Sequence, residues 1–118
     1  MRIFAFEPTR EITRFDSHGA TIGGVARASG AVRVSLLQLA ADGLVGAHPA
    51  ACPQLFLVVA GSGWARSGDE PRSPLAAAEA ALWEVDELHE SGSASGLTAV
   101  IVEAQAIEPL ARPRLSHT

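Results

Sequence analysis

The reading turns on residues 43–61, GLVGAHPAACPQLFLVVAG. The stretch opens on the turn pair Asp42-Gly43 and closes on Gly61-Ser62-Gly63, a second turn signal. Between them Gln54 to Ala60, QLFLVVA, is apolar at both parities, the pattern of a strand covered by protein on both faces. Alternation puts Gln54, Phe56 and Val58 on one face and Leu55, Leu57 and Val59 on the other. His48 stands between the first turn and this strand, and Cys52 at the strand's entry.

The flanks carry the same signals. Residues 31–40, AVRVSLLQLA, set Val32, Val34 and Leu36 at period two and predict a strand. Leu97 to Ala104, LTAVIVEA, predicts another, bounded by Gly96 and Pro109. Residues 1–15 are short apolar pieces broken by Pro8, consistent with one or two edge strands, and Ser17 to Gly30 reads as a loop. A strand resumes at Trp64, and Ser67-Gly68-Asp69-Glu70-Pro71 marks a hairpin tip. The tail 108–118, with Pro109 and Pro113, reads as an extension or an arm that packs on a neighbour. One segment conflicts: Leu75 to Glu90, LAAAEAALWEVDELHE, favours a helix by intrinsic propensity.

Composition narrows the function classes. The chain has 118 residues, the size of a single domain that buries its own core. Its net charge is −4, and its nine basic residues are scattered, which excludes the basic surface that a phosphate backbone selects. One cysteine, Cys52, permits neither an intrachain disulfide nor a multi-cysteine zinc site and suits a cytoplasmic location. No stretch has the length of a membrane span, and the first residues offer no apolar core of a signal peptide. There is no phosphate-cradling glycine loop, arginine clamp or nucleophile elbow, so the substrate is not legible. His18 and His117 read as exposed bystanders.

The spacing of residues 43–61 resembles the first motif of the cupin superfamily: glycine, His-x-His, then glutamate and a closing glycine. Counted from His48, the glutamate position falls on Gln54 and the glycine on Gly61, while the second histidine position falls on Ala50. The second cupin motif, Pro-x-Gly-x-x-His, is met by residues 84–89, where only His89 is a literal match. The resemblance implies an all-β double-stranded β-helix, a jelly-roll barrel, as a single domain over 1–118 with its barrel at about 32–104. It also turns the alanine-rich segment into strand, turn and strand, with Asp86-Glu87 in the turn.

Cupins hold their ligands on inward positions of neighbouring strands, so the resemblance makes His48, Gln54 and His89 the candidate site. As a metal centre they would hold a divalent ion (iron, manganese, nickel, copper or zinc), with Gln54 supplying an amide oxygen where a carboxylate is usual. As a metal-free isomerase, cyclase or lyase, His48 and His89 would serve as acid and base. A non-catalytic ligand-binding barrel is the third reading. Phe56, Val58 and Trp83 are candidate pocket walls, with Trp83 equally placed to face outward as core packing or a dimer contact, and Cys52, Glu87 and Ser91 are candidate additions to the site. The expected partner is a small molecule. The outward row Leu55, Leu57 and Val59 needs a cover, from an N-terminal strand or a second subunit, and predicts a homodimer.

Overall fold

The computed structural model describes residues 1–114, which form strands and no helix. The strands are β1 (Arg2–Ala5), β2 (Arg10–Glu11), β3 (Thr21–Ile22), β4 (Ala26–Leu39), β5 (Gly43–Pro49) and β6 (Gln54–Ser67). They continue with β7 (Ser73–Ala76), β8 (Glu79–Trp83), β9 (Leu88–Ser93), β10 (Leu97–Pro109) and β11 (Arg112–Pro113). All pairings are antiparallel. One sheet runs β11-β1-β8-β6-β10-β4; the other joins β5 to β9, β9 to β6 and β6 to β7.

Strand β6 belongs to both sheets. Its first part pairs with β8 and β10, and from Ser62 onward it pairs with β7 and β9. The turn predicted at Gly61-Ser62-Gly63 is therefore a bend inside one continuous strand. Gly61 makes the bend with φ +75°, a left-handed backbone that only glycine adopts at no steric cost.

The loop predicted over 17–30 also ends early. β10 extends to Pro109 and offers partners as far as Ala26, so β4 begins there, with a bulge between Ala104 and Ala106 absorbing the register change. The alanine-rich segment forms β7, β8 and β9, with Asp86 at φ +70° in the turn between β8 and β9. Helix propensity loses because Ala80, Ala81, Leu82 and Trp83 are consecutively buried, which a strand covered on both faces accomplishes and an amphipathic helix does not.

Two apolar layers result. Phe56, Val58, Trp83, Leu97, Ala99 and Ile101 fill the space between the sheets, so the barrel interior is packed rather than hollow. On the outside, Phe4 of β1 packs with Leu55, Ala80 and Leu82. The predicted cover for the outward row thus comes partly from the chain's own N-terminal strand. The tail, expected as an arm, is in its described part tied to the same strand: β11 pairs with β1, and the Arg114 N–H donates to Ile3 O at 2.8 Å. His117 lies outside the described residues.

Glu87 locks the turn between β8 and β9. Its carboxylate accepts from the Glu84 N–H (2.8 Å), the Ser67 hydroxyl (2.7 Å) and the Met1 ammonium (2.6 Å). Burial works to raise its pKa, but these three donors outweigh it and hold the carboxyl below the usual range. A carboxyl depressed in this way stabilises the fold above its unfolded pKa, and that stability is lost as pH falls through the folded value. Glu87→Gln is expected to cost about 1–3 kcal/mol at pH 7. In urea titrations, the gap between parent and variant should close as pH drops below about 4.

Candidate functional site at the barrel mouth

His48 on β5 and His89 on β9 are direct cross-strand partners. Their rings lie 4.0 Å apart, centroid to centroid, tilted by 55°. Simple alternation would not have placed them so. Val45 pairs with Ser91 and packs against the inner core, which would send His48 to the opposite face. Between Val45 and His48, β5 carries one more residue than β9, and this bulge returns His48 to the inner face. Gly46, in the bulge, accepts a hydrogen bond at 2.8 Å from His48 Nδ1, which orients the ring and leaves Nε2 free.

The two imidazoles differ in setting. His48 is exposed, whereas His89 is 7% exposed and lies against the Trp83 ring, 5.2 Å between centroids. Trp83 in turn meets Phe56 edge-on at 5.9 Å, and its Nε1–H donates to Arg66 O at 3.2 Å. Trp83 is therefore an inner-core residue rather than an outward contact, and it makes the floor beneath His89. Burial and the neighbouring His48 lower the pKa of His89, while the Glu103 carboxylate opposes them. The lowered pKa favours the neutral imidazole, which keeps a lone pair on the ring.

Gln54 joins this region from β6, as a cross-strand partner of both Trp83 and Glu103. No side-chain hydrogen bond links Gln54 to either imidazole among the described residues. Glu103 was not singled out from sequence, because only the pairing of β6 with β10 carries it to the mouth. It shares a face with Gln54 and Arg33, and Cys52 Sγ lies 3.9 Å from its Oε2. An open cleft of about 510 Å³ is lined by Arg33, Cys52, Glu103 and Gln105. Of the other candidates, Ser91 is buried on the same strand as His89, and Glu87 is committed to its turn. Ala50, at the motif's second histidine position, is buried against that turn through hydrogen bonds with Asp86 and Glu87. His18 is exposed, as expected.

No protein-family model matches the chain, and no curated protein matches it. Solved structures do. A cupin superfamily protein from Desulfitobacterium hafniense aligns with a TM-score of 0.60 at 15% identity, over 90% of this chain and 100% of that one. The fold is that of a cupin. A cupin-like protein from Thermotoga maritima gives the same TM-score at 16% identity, covering 68% of this chain but 65% of its own, just under two thirds. A double-stranded β-helix protein from Klebsiella pneumoniae aligns at 0.56 with 18% identity over 86% and 89% of the two chains. In this cupin barrel His48 and His89 are cross-strand partners on β5 and β9, whereas Gln54 on β6 has its partners on β8 and β10. No helix among the described residues is long and apolar enough to cross a membrane.

Proposed function

We propose that this cupin binds a small polar molecule at the mouth of its barrel and that the His48–His89 pair accepts or relays a proton on it without a resident metal. The observation that carries this reading is the close pairing of one exposed and one buried imidazole on a Trp83 floor. A base works best when it is neutral and desolvated but within reach of a partner that can share the proton. His89 meets the first condition and His48 the second. Glu103 supplies a fixed negative charge nearby, and Gln54 and Arg33 add hydrogen-bonding groups on the same face.

A divalent ion at His48, Gln54 and His89 is the competing reading, favoured by the free Nε2 of His48 and the lowered pKa of His89. The donor chemistry fits it less well. Among the described residues, no three His, Cys, Asp or Glu side chains gather as a metal-holding group. Two imidazoles and one neutral amide fall short of the three strong protein ligands that open catalytic sites commonly use.

Protein purified without chelators or a nickel column is expected to carry far less than one metal per chain. NMR titration should show His89 protonating below the ordinary imidazole range. Because the unfolded state then binds more protons than the folded one, stability should decline as pH falls below about 6.5, and His89→Asn should flatten that slope. Small-molecule hits from a thermal-shift screen should lose at least about tenfold in affinity in His89→Asn, the loss of one buried hydrogen bond. Stoichiometric metal that disappears in both His48→Asn and His89→Asn would establish the metal centre instead. Hits indifferent to both substitutions would remove the mouth as the binding site.

A further inference from the structure

We infer that the chain forms a two-fold dimer by arm exchange, Phe15 of each copy seating in an apolar groove at the base of the other copy's arm. Residues 7–24 include no buried residue. They form a hairpin in which Arg10 pairs with Ile22 and Glu11 with Thr21, and the Ile12 N–H donates to Ala20 O. A lone two-stranded hairpin is marginal in water, so an ordered arm of this kind calls for a surface to lie on.

The arm's tip is built to present one side chain. The turn closes with the Ser17 N–H donating to Arg14 O, and both central residues, Phe15 (φ +62°) and Asp16 (φ +56°), are left-handed. Such turns favour Asn-Gly. An aromatic residue there is strained, and Phe15 is 90% exposed, so neither local conformation nor the monomer's core accounts for it.

The complementary surface lies where the arm leaves the barrel. A groove of about 350 Å³, almost wholly apolar, runs between Phe6, Pro8, Val25, Leu57 and Val59, with Glu7 at its rim. It is the part of the outward row that β1 leaves uncovered; Val59 is 46% exposed. Phe15 stands between Arg14 and Asp16, and its Arg14 side is opposite in charge to Glu7 at the groove. Arg14 flanks the Phe15 knob and Glu7 flanks the groove, and neither has an ion-pair partner among the described residues.

A second copy meets both needs at once. Phe15 is not among the residues that line the groove of its own chain; the paired residues 10–11 and 21–22 of the hairpin stand between them. Two arms laid antiparallel about a two-fold axis bring each tip to the other's base, in a self-complementary contact that closes. Arm and groove walls together present roughly the 20–30 residues per partner that a stable interface uses.

Sedimentation of the full chain should show a dimer, and Phe15→Asn should weaken it by at least about 100-fold, the scale of a central aromatic anchor. Because asparagine suits a left-handed turn, the variant should remain folded, with unchanged circular dichroism. Val34→Asp tests the competing surface, the exposed Val32, Val34 and Leu36 row on β4, and should leave the dimer intact. In a Cys52→Ser background, Phe15→Cys with Val59→Cys should give a disulfide-linked dimer under mild oxidation. A monomeric parent, a dimer that survives Phe15→Asn, or a dimer abolished by Val34→Asp alone would each overturn the arm exchange.

Discussion

Trp83→Ala should destabilise the protein by about 3–5 kcal/mol, most of what a domain of this size has to lose. Trp83 is fully buried and is the largest such side chain among the described residues. Removing the indole opens a cavity bounded by Phe56 and His89, whose backbones are held by pairings on β6 and β9 and cannot collapse into the space. The loss therefore includes a cavity contribution beyond hydrophobic transfer, and the Arg66 carbonyl loses its indole donor. Trp83→Phe retains much of the packing and should cost about half as much. Urea unfolding measures both. The site should register the change too: water entering beneath His89 relieves its desolvation, so its pKa should climb back toward the ordinary imidazole value in the alanine variant, as read by NMR.

Gly61→Ala should cost about 2–5 kcal/mol, combining left-handed strain with overpacking. An alanine Cβ there would lie 2.3 Å from Gly96 O and 3.0 Å from Leu97 Cα, both backbone atoms that no rotamer change can move aside. Gly61 is also the residue at which β6 leaves one sheet for the other, so a shift there disturbs the pairing with β10 and with β7 together. Gly68 provides the control. It is likewise left-handed, at φ +53°, but a Cβ would meet nothing within 4 Å. Gly68→Ala should therefore show only the backbone contribution, about 1–2 kcal/mol. If the two variants lose equal stability, close approach is not what requires Gly61.

These two positions show how legible the protein was. Gly61 was identified by spacing from His48, but as the end of a strand; its real task, bending a continuous strand from one sheet into another, depends on the close approach of Gly96. Sequence alternation alone leaves Trp83 between an inward wall and an outward contact. The parity of β8 becomes decidable only when Trp83 is paired with Gln54 of β6. In the alanine-rich segment propensity favours a helix and motif spacing favours strands, since propensity weighs only local backbone preference while burial on both faces is a tertiary condition.

By itself the sequence determined the alternation of β4, β6 and β10 and the turn at Asp42, while the family resemblance implied the turn at Asp86 and the spacing that links His48, Gln54, Gly61 and His89. Those are local properties: which side chains share a face follows from the two-residue period of a strand. The tertiary structure decided the rest. A bulge at Gly46 turns His48 inward to meet His89, and the pairing of β6 with β10 brings Glu103 to Gln54. Glu87 is drawn into its turn by Ser67 and Met1, and the hairpin arm is left standing off the barrel with Phe15 at its tip. Register and bulges follow from how whole sheets pack, and one extra residue reverses every face after it.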